Sequence, residues 1–384
     1  LDDRPTTLQA EAAQSFGRFQ ERSGCAYTLS LVGANKERLS DELRWARSGI
    51  NEAFSTSGTQ GQDWKTPSGS AFTANPLGPE GKIAFVYPGI FNSYIGLGQD
   101  IFQLFPTLHA ELAELTQKPA EVIAERFLYP HRTGKLTPQE IRAVVSEMMA
   151  DAHAMSESGS AFAILFTRLL RQRFGLQPDS ALGYSLGEST MLLALDVWPV
   201  READRLAFRD SPLFQQRLGG RKEAIRDFWR LPAENDAEPL WQIHTLRVAP
   251  DAVERVLKSE TKVYLTQINT PHEVVIAGDP EGCQRVIAAL DCDHVTAPFD
   301  FVIHNEAMRS EHDELYRLNQ RPVQPGSDID FFFSAGHVST PLTSETAAQQ
   351  IADGVCSPLY FPTLVNQAYD AGVRLFIEVG ARST

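Results

Sequence analysis

The chain has 384 residues, of which 42% are hydrophobic and 22% charged, a composition typical of globular proteins with a large apolar core. It carries 35 basic and 49 acidic side chains, which gives a net charge of -14. This acidic balance argues against nucleic-acid binding and against broad adhesion to anionic membranes, because both require a basic surface.

Residues 1–80 form the first predicted unit. The sequence CAYTLSLVGA is typical of a strand, and NKERLSDELRWARSGI has the apolar spacing of a helix. A stretch rich in Gly, Ser, Thr and Pro follows, which is the composition of a loop or linker. We therefore expect a small N-terminal subdomain ahead of the main core.

From Gly81 onward, predicted strands alternate with predicted helices. KIAFVYPG is a short apolar run ended by Pro-Gly, as expected of a buried parallel strand. A helix should begin at Thr137, whose hydroxyl can form a capping box with Glu140. SALGYSLGESTMLLALDVW predicts a strand, a tight turn and a helix, and RLFIEVG predicts another buried strand. This alternation indicates an α/β fold with a parallel sheet covered by helices.

A different order of elements interrupts the alternation at residues 241–299. There the sequence predicts a strand, a helix, two strands, a helix and a strand. That order fits a ferredoxin-like subdomain. Residues 81–240 and 300–384 would then be the two parts of the main core.

The four cysteines stand at irregular spacings without a CxxC pair, which predicts free thiols rather than a disulfide framework or a zinc site. No apolar run reaches the eighteen or so residues of a membrane span. The first residues lack the apolar core of a signal peptide, so we expect a cytoplasmic location. Because the chain begins with Leu and stops after FIEVGARST, we expect it to be a segment of a longer polypeptide.

The hexapeptide GYSLGE contains a GxSxG sequence with Ser185 at its centre. A predicted strand precedes it and a predicted helix follows, which is the context of a nucleophile elbow. Small flanking residues allow the sharp turn that exposes a serine hydroxyl at the start of a helix. The main-chain N–H of Leu186, directly after the serine, is then the natural first donor to an oxyanion. A chance GxSxG in a turn is the alternative.

A nucleophilic serine needs a general base, and the chain has nine histidines. His304 ends the apolar run FVIHN, so it could point from a buried segment into an active site. For any single histidine, a hydrogen-bonded core position is the more common alternative. The order of the candidate residues along the chain also differs from that of α/β-hydrolases, in which the catalytic histidine comes last. Here 80 residues follow His304.

Five segments together resemble the acyltransferase domains of fatty acid and polyketide synthases, the family of malonyl-CoA:acyl carrier protein transacylases. IAFVYPGIFNSYIGLGQDIF is similar to the family's first strand and PGQGSQ loop, and GYSLGE to its GHSLGE. NTPHEVVIAG, IHNEAM and FIEVGARS are similar to a subdomain strand, FHSxxM and the closing EVGPG strand. The loop sequence PGIFNSYIGLGQDIF is most similar to that of acyltransferase domains in polyunsaturated fatty acid synthases. Residues 1–80 resemble the linker that follows a ketosynthase domain.

The resemblance implies an α/β-hydrolase-like core and a Ser185–His304 dyad without a bound cofactor or metal. Acyl-CoA would donate the acyl group, and the phosphopantetheine thiol of an acyl carrier protein domain would accept it. The implied oxyanion donors are the N–H groups of Leu186 and Ile90. A main-chain carbonyl would orient the histidine, and a gapless count from the EVG strand puts it at Tyr360. A neighbouring ketosynthase-like domain is the implied partner in the full polypeptide.

Several positions depart from the family's pattern. Tyr184 replaces the histidine before the serine, Ile90 replaces a glutamine, and Asn305 replaces a serine. Malonyl-specific members hold the substrate's free carboxylate with an arginine on a helix after the elbow. A gapless count puts this position at Asp210, with Arg209 beside it, so the resemblance does not carry malonyl specificity over.

Two other functions remain open from the sequence. A serine thioesterase or esterase would use the same nucleophile but admit water, and a non-catalytic scaffold domain would only bind carrier proteins. The presence of both Ser185 and His304 favours an enzyme. Residues 201–230 hold more basic than acidic side chains, which predicts a local surface that could steer an acidic carrier protein.

Overall fold

The computed structural model describes residues 7–20, 25–55, 63–77, 81–130, 135–232, 239–325, 328–338 and 342–382. The chain forms two compact units, Leu1–Gly81 and Lys82–Thr384. Among the described helices, none combines the length and the apolar character that a membrane crossing requires. All four cysteines carry free thiols, as predicted.

The first unit contains two helices and a small antiparallel sheet. Its elements are α1 (Leu8–Gln20), β1 (Leu29–Ser30), α2 (Lys36–Ser55), β2 (Asp63–Lys65) and β3 (Ala71–Thr73). The strand order is β1-β3-β2. The rings of Tyr27, Phe54 and Phe72 pack together with centroids 5.3 to 6.0 Å apart, so an aromatic cluster joins the sheet to α2.

The second unit contains two five-stranded sheets. Its strands are β4 (Lys82–Tyr87), β5 (Ser180–Gly183), β6 (Gln242–Leu246), β7 (Val263–Thr270), β8 (Glu273–Gly278), β9 (His294–Thr296), β10 (Asp330–Phe333), β11 (Gly336–Val338), β12 (Leu359–Tyr360) and β13 (Val373–Glu378).

Helices cover the sheets. They are α3 (Gln99–Leu104), α4 (Leu108–Leu115), α5 (Pro119–Val122), α6 (Glu125–Leu128), α7 (Pro138–Ala150), α8 (Ala152–Arg173), α9 (Gly187–Ala194), α10 (Glu202–Arg209), α11 (Glu223–Phe228), α12 (Pro250–Leu257), α13 (Pro280–Leu290), α14 (His312–Asn319), α15 (Ser344–Val355) and α16 (Phe361–Asp370). A π-helical segment covers Leu213–Leu218, and a 3-10 helix covers Glu306–Glu311.

The central sheet has the order β11-β10-β5-β4-β13. Its neighbours are parallel except for the antiparallel pair of β10 and β11. The middle strands are apolar on both faces because helices cover both; Phe85, Leu182 and Phe332, for example, are fully buried. The α/β class and the parallel sheet are therefore confirmed.

The helices begin where the sequence supplies caps. At the start of α7, the Thr137 hydroxyl accepts from the Glu140 N–H and the Glu140 carboxylate accepts from the Thr137 N–H, which is the predicted capping box. Asp151 caps α8 by accepting from the Ala154 N–H. Helix α8 then packs on α9 with a largely buried face, and this contact positions the turn that holds Ser185.

The second sheet has the order β12-β7-β8-β6-β9. Its pairs are antiparallel, except that β12 runs parallel to β7. From β6 to β9 the chain forms a strand, a helix, two strands, a helix and a strand. Apolar side chains of α12 and α13 pack on β7 and β8 around a separate core that includes Val253, Ile276 and Val286.

Candidate active site

A sharp turn between β5 and α9 holds Ser185. The residue has φ 55°, a left-handed conformation that is unfavourable for residues with a side chain. The turn depends on two glycines. A Cβ on Gly183 would lie 2.2 Å from the Glu188 nitrogen, and one on Gly187 would lie 2.1 Å from the Tyr87 carbonyl oxygen. The structure thus confirms the strand–turn–helix geometry predicted for GYSLGE.

His304 lies directly beside the serine. Its Nε2 is 2.8 Å from Ser185 Oγ, and its Nδ1 is 2.8 Å from the carbonyl oxygen of Gly354. A carbonyl can only accept, so Nδ1 must carry the proton and Nε2 is free to accept from the serine hydroxyl. The arrangement can therefore remove the proton of Ser185.

The carbonyl that orients His304 is not the predicted one. Gly354 and Val355 end α15, where the last carbonyls of a helix lack partners within the helix. Gly354 accepts from Nδ1, and Val355 accepts from the His304 main-chain N–H at 2.8 Å. Tyr360 instead lies in β12 beside β7. The prediction of Tyr360 was wrong because a gapless count assumes a fixed chain length between this carbonyl and β13.

Burial sets the protonation state of His304. The side chain is 3% exposed, and burial lowers its pKa below the ordinary 6.5, while hydrogen bonds with the backbone at Gly354 and Ser357 oppose this. The imidazole is therefore neutral at neutral pH, which is the form that can accept a proton.

Two residues with predicted oxyanion-donor N–H groups line the cavity around the serine. Ile90 and Leu186 line the same cavity as Ser185 and His304. In the described part of the chain, neither N–H donates a hydrogen bond to another protein group. Leu186 stands at the start of α9, where free N–H groups and the helix dipole favour negative charge. The two residues predicted to supply oxyanion donors thus line the cavity that holds Ser185.

We call the space in front of Ser185 the serine cavity. Most of its lining is apolar and comes from the following residues: Ile90, Phe91, Ala152, Leu186, Phe208, Phe214, Phe299, Phe301, Ile303, Leu315, Ile351 and Val355. The rings of Phe91 and Phe299 stack with centroids 4.1 Å apart. Among the described lining residues, none is Lys or Arg.

The helix that should carry a carboxylate clamp presents an aromatic ring instead. Phe208 of α10 lines the serine cavity, whereas Arg209 and Asp210, the residue that caps the end of α10, do not. Arg209 pairs with Glu121 at 2.7 Å and with Asp210 at 2.9 Å. Arg209 is therefore neutralised by its partners, and Asp210 is itself an acid. Neither residue offers a free cation to a substrate bound at the serine.

Two departures from the family's pattern have structural roles. The Tyr184 hydroxyl lies 2.6 Å from Gln267 Oε1 and 2.7 Å from Asn269 Oδ1, so it links the elbow to β7 of the second sheet. Asn305 accepts from the Ala307 N–H at 3.0 Å and so caps the 3-10 helix after His304. The sequence marked both positions as unusual without indicating these contacts.

Glu188 is a site residue that the sequence analysis did not single out. Its side chain lines the serine cavity, is 3% exposed and accepts from the Ser334 N–H at 2.5 Å. Burial raises its pKa from 4.5 to about 7. The only available signal was its place in GYSLGE, because a buried acid has no characteristic spacing.

Glu188→Gln should remove a pH-dependent part of the stability. The folded state favours the neutral acid. The stabilising contribution of protonated Glu188 is therefore complete below pH 4.5 and is lost as the pH rises towards 7. The loss is on the order of 3 kcal/mol. Thermal unfolding of both proteins across this range should therefore show the wild type falling relative to Glu188→Gln. Exposed Glu254→Gln is the control, and parallel curves for wild type and Glu188→Gln would contradict the assignment.

Ion pairs engage part of the predicted basic surface. Arg217 lies 2.6 Å from Glu311 and 3.2 Å from Asp227. Lys222 is 7% exposed and lies 2.5 Å from Asp300. These ion pairs engage Arg217 and Lys222 within the fold, whereas Arg201, Arg221 and Arg230 of the same segment are exposed. The docking of an acidic carrier protein on this segment therefore stays a prediction.

Comparison with known proteins finds relatives that are named as a fatty acid synthase component and as a transacylase. The chain is 26% identical to a component of the polyunsaturated fatty acid synthase of Thraustochytrium sp., over 97% of the chain but 18% of that protein. It is 21% identical to the malonyl CoA-acyl carrier protein transacylase of Bacillus subtilis, over 78% of the chain and 86% of the relative. No protein-family model matches the chain.

The fold of the chain is also similar to that of a solved structure. The acyltransferase domain from the second module of the salinomycin polyketide synthase superposes with a TM-score of 0.63 at 16% identity, covering 99% of this chain and 82% of that one. By sequence the chain is thus similar to a malonyl CoA-acyl carrier protein transacylase and to a polyunsaturated fatty acid synthase component, and by fold it is similar to the acyltransferase domain of a polyketide synthase.

Proposed function

We propose that the chain transfers an uncharged acyl group from acyl-CoA, through an ester on Ser185, to the phosphopantetheine thiol of an acyl carrier protein. The observation that carries this proposal is the 2.8 Å contact between Ser185 Oγ and His304 Nε2, with His304 Nδ1 held by the Gly354 carbonyl. The acyl carrier protein follows from the name of the Bacillus relative.

In the first half-reaction, His304 Nε2 takes the proton as Ser185 Oγ attacks the thioester carbonyl. The carbonyl oxygen becomes an oxyanion, which the N–H groups of Ile90 and Leu186 stabilise. When the C–S bond breaks, the CoA thiolate leaves and takes the proton from His304. The acyl group is then an ester of Ser185, and the imidazole is neutral again.

The second half-reaction reverses these steps with a different thiol. The thiol of the carrier protein's phosphopantetheine gives its proton to His304 and attacks the ester carbonyl. The same N–H groups stabilise the second oxyanion. The C–O bond to Ser185 breaks, and His304 returns the proton to the serine oxygen. Atoms and protons balance, and free enzyme is regenerated.

The lining of the serine cavity supports an uncharged acyl group. Burying a free malonyl carboxylate among Phe91, Phe214 and Phe301, beside the acid Glu188 and without a cation, would cost several kcal/mol. The thioesterase alternative has no comparable support, because the relatives reported above are named as transacylases or synthases. An apolar cavity also limits the water that would hydrolyse the ester.

The remaining organisation is part of the same proposal. The sheet and helices from β6 to β9 support a ferredoxin-like subdomain at residues 241–299 inserted into an α/β-hydrolase-like core. The separate unit Leu1–Gly81 supports a linker-like subdomain beside a ketosynthase-like domain. The length of the polyunsaturated fatty acid synthase component, of which the chain matches 18%, is consistent with such a neighbour.

The proposal is tested by intact-mass analysis after incubation with a panel of acyl-CoA thioesters, followed by peptide mapping. We expect one hydroxylamine-sensitive acyl group on Ser185. Absence of any acyl adduct across the panel, with a protein that is folded, would contradict the proposed function.

Phe208→Arg should shift the substrate preference towards malonyl-CoA. The new guanidinium would face the serine cavity and could form charge-assisted hydrogen bonds with the free carboxylate. We expect the malonyl-to-butyryl ratio of acylation rates to rise about tenfold or more, as one such hydrogen bond would give. Ala207→Arg, an exposed neighbour in α10, is the matched control. A wild-type malonyl preference that Arg209→Ala abolishes would instead make Arg209 the clamp.

A further inference from the structure

A second cavity, which we call the adjoining chamber, lies beside the serine cavity and shares part of its lining. Both are lined by His153, Ser156, Leu186, Ser189 and Phe208. Leu186 and Ser189 follow the serine by one and four residues, so the shared wall begins at the nucleophile itself. A group attached to Ser185 Oγ would therefore lie close to the wall that the two spaces share.

The far walls of the adjoining chamber are mainly helical and apolar. Leu115 of α4, Val122 of α5, Ala161 and Ile164 of α8, and Leu193 of α9 line it. The first four are buried members of the main hydrophobic core. A chamber with such walls suits an aliphatic ligand rather than a polar one.

Arg205 and Arg209, which line the adjoining chamber, are held in ion pairs. Arg205 lies 2.6 Å from both Glu157 and Glu202, and Arg209 is paired as described above. The Arg321 guanidinium lies over the Trp198 ring at 4.9 Å, while Arg201 is exposed to solvent. The paired Arg205 and Arg209 therefore do not offer an anion site.

We propose that the adjoining chamber binds the distal part of a long, unbranched acyl chain while its carboxyl carbon is attached to Ser185. This inference rests on the proposed acyltransferase function and adds the class of acyl group. The chain would start beside Ser185, pass Phe208 and end against Ile164 and Leu193. Each methylene group buried on this path would strengthen binding about fourfold.

Leu193→Trp tests the inference, because residue 193 lines the adjoining chamber but not the serine cavity. The larger ring would occupy space that a long chain needs. We expect acylation by dodecanoyl-CoA to slow about tenfold or more, while acylation by butyryl-CoA stays unchanged. Leu104→Trp is the matched control, since residue 104 is 72% exposed and lines neither cavity; both substrates should react with it as with wild type.

Three outcomes would overturn the inference while leaving the proposed function intact. They are equal slowing with both substrates, no slowing with either, and a wild type that accepts butyryl-CoA but not dodecanoyl-CoA. If Leu193→Trp does not fold, Leu193→Ala enlarges the chamber and should raise the palmitoyl-to-dodecanoyl ratio of rates, and an unchanged ratio would overturn the inference. A wild type that accepts no acyl-CoA at all would instead contradict the proposed function.

Discussion

Ser185→Ala is expected to abolish acyl-enzyme formation with every acyl-CoA, because the only atom removed is the proposed nucleophile, Ser185 Oγ. No other hydroxyl in the described structure is shown at hydrogen-bond distance from His304 Nε2. Intact-mass analysis should show the full acyl adduct on the wild type and none on the variant. Ser189→Ala is the matched control, since it removes a hydroxyl from the same cavity and should retain acylation.

The same variant should keep its fold. Alanine places a Cβ where serine does, so the strain of the left-handed turn at φ 55° is the same in both proteins. The loss of one hydroxyl should change the melting temperature by no more than a few degrees. A Ser185→Ala protein that still gains a stoichiometric, hydroxylamine-sensitive acyl group would refute the assignment.

His304→Ala should slow acylation by about a hundredfold to ten-thousandfold, the usual contribution of a general base. Without the imidazole, Ser185 must lose its proton to water. Stopped-flow or quenched measurement of acyl-enzyme formation gives the rate. His153→Ala is the matched control, because His153 lines the same cavity while its Nε2 lies 3.3 Å from Gln215 rather than beside the serine.

A larger loss of acylation rate in His153→Ala than in His304→Ala would show that His304 is not the general base. Loss of fold would not explain such a result if circular dichroism of both variants matches the wild type. Partial recovery of His304→Ala by added imidazole would further separate a chemical role from a packing role, since a structural defect would not respond to a soluble base.

The elbow could be predicted from the sequence because its geometry depends on local residues. Gly183 and Gly187 are required where a Cβ would collide with the backbone, and the strand and helix patterns on either side are short-range signals. The parallel sheet was predictable for the same reason, since runs such as KIAFVY must be buried on both faces.

The partner of the serine depends on contacts far apart in the chain. His304 and Ser185 are 119 residues apart, and the histidine alone gave no signal that distinguished it from a core residue. The resemblance to acyltransferase domains identified it. That resemblance failed at the orienting carbonyl, because Gly354 is selected by where α15 ends and not by its distance from the closing strand.

The residue at the carboxylate-clamp position could not be predicted from the sequence either. A count along the sequence placed Asp210 or Arg209 there, but which side chain of α10 faces the serine cavity depends on how this helix packs. In the structure Phe208 faces it, and Arg209 turns to Glu121. Neighbouring residues of a helix point about 100° apart. A difference of one position thus decides whether a charged or an apolar side chain of α10 lines the cavity.

The most direct test of acyl transfer is the fate of the isolated acyl-enzyme. Wild-type protein acylated by butyryl-CoA and freed of CoA should be mixed with phosphopantetheinylated carrier protein, with carrier protein lacking that group, or with buffer alone. The account predicts rapid movement of the butyryl mass to the phosphopantetheinylated carrier only, with a stable adduct in the other two. Equally fast loss of the adduct in buffer, with free butyrate as the product, would contradict it and make the protein a thioesterase.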